Sequence, residues 1–132
     1  MTVFVDTSAL YALLDRADAH HKQAVAAWTG LLNGDERFVT SNYVFVESFA
    51  LAQSRLGMDA ARLLQEDILP VINIHFVDRE IHRSGISAVL SAGRRNLSFV
   101  DCVSFEIMRT LGIKTAFTFD PHFREQGFTV IP

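Results

Sequence analysis

Cysteine is almost absent from this chain: Cys102 stands alone among 132 residues. No internal disulfide can form, which fits a reducing compartment. Within Val100-Asp101-Cys102-Val103 the thiol reads as a buried, inert packing group. Long apolar runs are missing too; none approaches the ~20 residues that a membrane helix needs. Met1-Thr2-Val3-Phe4-Val5 meets Asp6 with no basic segment before it, unlike a secretory leader. These absences predict a cytoplasmic protein with no membrane association. Repeats, low-complexity tracts and linkers are also lacking, so the expectation is one domain over 1–132.

Positive charge is scarce. Twelve Lys and Arg against fifteen Asp and Glu leave a net charge of −3. That balance argues against a basic-patch nucleic-acid binder. It does not exclude a nucleic-acid enzyme, because carboxylates that hold cations count as negative in the sequence while the bound ions reverse their local effect. Only Lys22 and Lys114 among the basic residues are lysine; arginine's planar fork suits bidentate phosphate contacts. No His–Cys spacing supports a zinc site. No Ser-His-Asp or Cys-His arrangement offers a nucleophilic side chain.

What is present is a large apolar fraction, 49% of residues, enough at this length to bury roughly 68–70% of the unfolded surface. Short β-like runs alternate with helical stretches. Strands are expected at Thr2–Val5, Arg37–Thr40, Val71–Val77, Thr115–Phe119 and Phe128–Ile131. Helices are expected at Ser8–Leu14, His20–Leu32, Tyr43–Leu56, Asp59–Leu69, Asp78–Ala92 and Ser98–Leu111, several of them ended by Gly57, Pro70, Gly93 or Gly112. Every strand but the last pair is separated from the next by a full helix, which forces parallel crossovers. The strands are continuously apolar, as when helices cover both faces. The fold class is therefore α/β, a three-layer α/β/α sandwich around a mainly parallel five-stranded sheet.

Ligands of open parallel sheets bind beyond the carboxyl ends of the strands. Asp6 follows the first strand directly, Glu47 lies about two turns into the helix after the second, Asp101 is in the first turn of the helix before the fourth, and Asp120 follows the fourth. Each aspartate has a structural reading as well. Asp6 suits a helix N-cap, Asp120 before Pro121 suits a helix start, and Asp101 with Ser98 is close to a capping box. Glu47 stands out because its helical neighbours are Tyr43, Val44, Ala50 and Leu51. A carboxylate on an apolar face costs several kcal/mol unless an arginine, hydrogen bonds or a cation compensates. Gathered together, such charges would repel by about 3 kcal/mol per pair at ~5 Å and effective dielectric ~20. Hard oxygen ligands in this number suit Mg²⁺ or Mn²⁺. His20 and His21 read as surface residues, and His122, two residues after Asp120, is a weak candidate for touching metal or substrate.

Four segments carry a resemblance over the whole chain: Val3-Phe4-Val5-Asp6-Thr7-Ser8-Ala9-Leu10, Thr40-Ser41-Asn42-Tyr43-Val44-Phe45-Val46-Glu47, Leu97-Ser98-Phe99-Val100-Asp101-Cys102 and Thr118-Phe119-Asp120-Pro121-His122-Phe123. In order and spacing the chain resembles PIN-domain nucleases, specifically the VapC toxins of prokaryotic toxin–antitoxin pairs. Singly each segment is a weak signal; in this order they are a strong one. The resemblance implies an endoribonuclease whose acidic quartet is Asp6, Glu47, Asp101 and Asp120, holding one or two Mg²⁺ or Mn²⁺ ions. Ser8 and Thr118 match hydroxyl positions beside the first and last aspartates, and His122 inherits no role. The resemblance also implies 5′-phosphate and 3′-hydroxyl products, a tRNA or rRNA substrate, a homodimer, and a small DNA-binding antitoxin. Arg94 and Arg95, just before the third segment, are candidates to grip the RNA backbone or else a solvated pair after Gly93. For the homodimer, Trp28 with Leu31–Leu32, or the helices between Leu56 and Leu69, offer an apolar face or further core.

Other readings remain. A haloacid-dehalogenase-type phosphatase needs a second aspartate two positions after the first, where this chain has Ser8. A phospho-receiver domain wants an acidic pair at the first strand and a late lysine. An RNA-processing PIN nuclease without an antitoxin, or a PIN-fold module that binds RNA or protein without catalysis, fits the same pattern more closely.

Overall fold

The computed structural model describes all residues from Met1 to Pro132. Five strands, β1 (Thr2–Val5), β2 (Arg37–Ser41), β3 (Ile72–His75), β4 (Thr115–Phe117) and β5 (Thr129–Ile131), form one sheet in the order β3-β2-β1-β4-β5. Every neighbouring pair is parallel, with Val3 opposite both Phe38 and Thr115. The helices are α1 (Thr7–Leu14), α2 (His21–Leu32), α3 (Asn42–Arg55), α4 (Met58–Leu63), α5 (Arg79–Ala92), α6 (Phe99–Leu111) and α7 (Pro121–Glu125), and they cover both faces of the sheet. The expected α/β/α sandwich is the fold.

The central strand shows why the sheet must be covered on both sides. Val3, Phe4 and Val5 are all inaccessible to solvent, so consecutive residues on opposite faces are buried. Phe117, Phe123, Leu10, Ile107 and Met108 join them in one core cluster, and Cys102 lies buried and unpaired as expected. Burial of each large side chain of this kind contributes roughly 1.5–3 kcal/mol.

Several elements differ from expectation. Parallel pairing extends to β4 and β5, whose connection had no full helix; the short α7 makes the crossover, started by the Asp120-Pro121 pair. The helix expected over Asp59–Leu69 is α4 followed by a π-helical turn at Leu64–Ile68 and a 3₁₀ turn at Leu69–Val71. Pro70 lacks the N–H that a continuing helix would use. β3 and β4 are shorter than their apolar runs: the Val77 N–H turns to the Asn42 side chain at 2.8 Å and the Phe119 N–H to Ser8 Oγ at 2.9 Å, although the Thr118 N–H still bonds the Ile131 carbonyl at 3.0 Å.

Trp28 packs at 4.8 Å from Phe38 and 6.0 Å from Phe117, and Leu31, Leu64, Ile68 and Leu69 are buried. These segments therefore contribute much of their apolar surface to the core, while Leu32, Met58 and Leu63 within them stay exposed; the most exposed large apolar side chains otherwise include Val46, Phe76 and Leu90. No helix is long and apolar enough to cross a membrane.

Candidate active site

The order in which strands are added to the sheet reverses between β1 and β4. From β1 the chain steps to β2 and β3 on one side; β4 and β5 then fill the other. At such a switch point the loops beyond the strand ends diverge and leave a crevice. Asp6 ends β1 there, its N–H still bonded to the Phe117 carbonyl at 3.0 Å. Thr118 and Asp120 follow β4. The open crevice, about 570 Å³, is lined by Asp6, Ser8, Glu47, Asp101 and Asp120 together with Tyr11, His20, Arg55 and Phe119. A larger groove, about 1090 Å³, opens near Met1, Arg37 and Lys114 and contains none of the four predicted carboxylates.

The hydroxyl groups organise Asp6. Its Oδ2 accepts from Ser8 Oγ at 2.7 Å, from Thr118 Oγ1 at 2.9 Å and from the Ser8 N–H at 3.3 Å. Each hydroxyl has one proton to give. With both spent on Asp6, Ser8 Oγ accepts the Phe119 N–H at 2.9 Å and Thr118 Oγ1 accepts the Asp120 N–H at 3.0 Å. Ser8 and Thr118 thus lock the Asp6 carboxylate and fasten the start of the Asp120 segment to it.

Two of the three aspartates are helix N-caps and the third completes a capping box, so the structural readings hold alongside the chemical one. Asp6 caps α1, Asp101 and Ser98 form a capping box on α6, and Asp120 caps α7 through the His122 N–H at 2.9 Å. Capping occupies one oxygen of each: Oδ2 of Asp6, Oδ2 of Asp101 and Oδ1 of Asp120. The other oxygen of each takes no hydrogen bond from the protein. The positive ends of the helix dipoles favour the negative groups gathered here.

That help is incomplete. Burial raises the Asp6 carboxyl above its ordinary value; the Ser8 and Thr118 hydroxyls oppose the shift, and the Asp120 charge adds to it. Asp101 is pushed up to about 7, first by burial and then by the charge of Asp6, with Asp120 contributing less. Carboxyls that prefer to be neutral this far above their usual range lack positive charge nearby. His122 is buried at 6% exposure, with Nδ1 2.7 Å from Asp120 Oδ1 and 4.0 Å from Asp101 Oδ2. One ligand atom from each of Asp101, Asp120 and His122 falls within 4.8 Å of the others, a grouping able to hold a cation. His122 is thus closer to the acids than the sequence pattern implied.

Glu47 corrects one step of the sequence argument. It lines the crevice, but it is half-buried; among its helical neighbours only Val44 is buried and Ala50 is exposed. Water reaches the carboxylate, so burial alone does not demand a compensating charge. Arg94 and Arg95 do not reach the crevice. Both are exposed, and Arg94 pairs with Glu125 at 3.1 Å. His20 is exposed as expected, whereas His21 is half-buried with Nδ1 2.7 Å from the Ala12 carbonyl oxygen.

The sequence reading missed Tyr11, Arg55 and His20 as crevice residues. A signal for one was available: Glu47, Leu51 and Arg55 recur every four residues on α3, and all three line the crevice.

Residues 3–128 match the family described as PIN domain. The chain is 32% identical over 130 residues to the 23S rRNA-specific endonuclease VapC20 of Mycobacterium tuberculosis, covering 98% of this chain and 97% of that protein. Its fold superposes on the crystal structure of M. tuberculosis VapC20, a sarcin-ricin loop cleaving toxin, with a TM-score of 0.87, covering 98% of this chain and 99% of that one. FitAcB from Neisseria gonorrhoeae shares the fold at a TM-score of 0.70 with 18% identity, over 100% of this chain and 97% of that one.

Proposed function

Because the chain belongs to the PIN-domain family, we propose that it is an endoribonuclease hydrolysing RNA phosphodiester bonds with Mg²⁺ or Mn²⁺ held by Asp6, Glu47, Asp101 and Asp120. The observation that carries this reading is the convergence of three helix-start aspartates at the β1/β4 switch point, each with one oxygen free of protein hydrogen bonds. End-to-end similarity to a 23S rRNA-specific endonuclease supports the reaction class. The donors suit a divalent cation: Asp101, Asp120 and His122 present ligand atoms within 4.8 Å of one another, and the Asp6 and Glu47 carboxylates line the same crevice. One or two such ions would occupy the site.

A divalent cation at such a site offsets negative charge developing on the phosphate and acidifies a water molecule. The chain supplies the rest. Ser8 and Thr118 hold Asp6 as an acceptor, Ser98 aims Asp101, and the first turn of α7 aims Asp120. Glu47, half-buried on the α3 side of the crevice, would reach the ion through water. Asp6 and Asp101 are the main ligands, Asp120 completes the set, and the products carry a 5′-phosphate and a 3′-hydroxyl.

In this reading residues 1–132 act as one PIN domain in the cytoplasm, as the toxin of a toxin–antitoxin pair. The substrate is structured RNA, with ribosomal RNA first and tRNA second. A small DNA-binding antitoxin would place its tail, with an arginine, in the acidic crevice, and the toxin would form a homodimer. Exposed apolar side chains, among them Leu32, Val46, Met58, Leu63, Phe76 and Leu90, offer surface for such contacts.

Purified protein incubated with 23S rRNA and a labelled pool of structured RNA tests the activity. Cutting is expected with Mg²⁺ or Mn²⁺ and not with chelator, and it should vanish in Asp101→Asn. Folded protein that binds RNA and never cuts, with either metal, would overturn the nuclease reading in favour of a binding module.

A further inference from the structure

Two features of the crevice have no part in holding metal. On one side Arg55 is exposed, its guanidinium carbon 5.8 Å from the centre of the Tyr11 ring, and it pairs with no carboxylate. It is the one Lys or Arg among the residues lining the crevice. On the other side the exposed His20 imidazole lies flat on Phe119, with centroids 4.5 Å apart and planes at 14°. Nothing else occupies that imidazole. It makes no hydrogen bond and does not cap α2, although His20 stands at the cap position. The backbone beneath is fixed, because Asp18 Oδ1 accepts the His20 N–H at 2.8 Å. Phe119 in turn rests on the buried Phe117 at 6.3 Å.

Both features line the crevice that holds Asp6 and reach it from separate elements: Arg55 ends α3 and lies over Tyr11 of α1, whereas Phe119 follows β4. Resting on the nuclease reading above, we propose that the substrate strand crosses the crevice from Arg55 to the His20–Phe119 stack. The guanidinium takes a backbone phosphate on one side of the scissile bond, and the outer imidazole face carries an unstacked base on the other.

The chemistry follows from the rest of the lining. Asp6, Asp18, Glu47, Asp101 and Asp120 make the crevice strongly acidic, so an RNA backbone needs a cationic contact displaced from the cleavage point. Arginine provides it in bidentate form. A flat aromatic surface backed by the core binds any base that is free to turn outward and gains nothing from a base held in a duplex. The substrate class is therefore unpaired nucleotides of a loop or single strand. Stacking adds binding that does not depend on charge, which suits a chain whose net charge is −3.

The test uses the full chain and a short RNA hairpin carrying 2-aminopurine at successive loop positions. Cleavage is measured with Mn²⁺, and binding is measured in the Asp101→Asn background. With His20→Ala, KM for the loop should rise about tenfold with kcat little altered, and the 2-aminopurine quenching at one position should disappear. His20→Tyr should restore both, because the ring needs to be flat and not to carry a proton. With Arg55→Gln, affinity should fall at every sequence, and the slope of log affinity against log salt should drop by about 0.7. The paired replacement of Arg94 and Arg95 by glutamine, outside the crevice, should lower that slope less than Arg55→Gln does.

Wild-type KM, quenching and salt slope in both single variants would overturn the strand path while leaving the nuclease intact. So would a loss in His20→Ala that tracks a lowered melting temperature and appears in kcat alone, since the stack would then merely fasten the α1–α2 turn. If the wild-type protein neither binds nor cuts any RNA, the nuclease reading fails and the path fails with it.

Discussion

Thr118 Oγ1 donates to Asp6 Oδ2 across 2.9 Å, joining the end of β4 to the end of β1 through one buried hydroxyl. Both residues sit where the two strands part, so this bond holds the crevice floor at a fixed width.

Thr118→Val keeps the shape and removes the hydroxyl. Asp6 loses a donor and the Asp120 N–H loses its acceptor. The expected destabilisation is about 1–3 kcal/mol, the usual consequence of leaving buried polar groups unpaired. Metal affinity should fall by about 10–100-fold, as for other residues that orient a ligand. Urea unfolding and a metal titration check the two effects, and Thr118→Ser should recover most of both. Unchanged metal affinity in the valine variant would remove Thr118 from the site.

Asp101→Asn should trade activity for stability. The carboxyl at this position is pushed up to about 7 by burial and by Asp6, so its charge is unwelcome in metal-free protein at neutral pH. Asparagine keeps an acceptor oxygen for the Ser98 N–H while dropping the charge. In chelator at pH 7.5 the variant is expected to be more stable by about 1–3 kcal/mol, while RNA cleavage is lost. Denaturant midpoints decide it; a variant less stable than wild type would contradict the electrostatic account.

The same raised carboxyl sets a pH dependence with a definite sign. Unfolded, Asp101 ionises near 3.8; folded, near 7. Between those values the folded chain keeps a proton that the unfolded chain has lost, so rising pH favours unfolding, and the loss is complete above about 7. The melting temperature in chelator should therefore be lower at pH 8 than at pH 5. Mn²⁺ should narrow the gap, because a bound cation replaces the proton and stabilises the folded state by mass action. A melting temperature in chelator that climbs from pH 5 to pH 8 would count against this.

Gly85 sits where α5 meets α6. A Cβ there would lie 2.6 Å from Val103 Cγ2 and 3.2 Å from Phe99 Cε1. Gly85→Ala should cost about 1–3 kcal/mol through overpacking, although alanine is the better helix former. Because α6 carries Asp101, heat inactivation should set in at lower temperature. Thermal melts and cleavage after heating measure it, and a melting temperature equal to wild type would show that the crossing is loose.

Much was determined by the sequence alone. Alternation of apolar runs with helices forces parallel crossovers, and continuous burial along β1 demands helices on both faces; neither depends on detail. Asp6, Asp101 and Asp120 were legible as candidate crevice residues because they stand at strand ends and helix starts, where local backbone geometry already constrains them. Glu47 was legible for an insufficient reason, since its apolar neighbours proved only partly buried. Only the tertiary structure decided which residues share the crevice. Thr118 reaches Asp6 over 112 positions of chain, and no local pattern encodes that approach. Arg55, His20 and Phe119 come from the end of α3, the α1–α2 turn and the segment after β4, and only packing brings them to one crevice. Periodicity reports which face of an element is buried; which faces meet depends on packing among all of them.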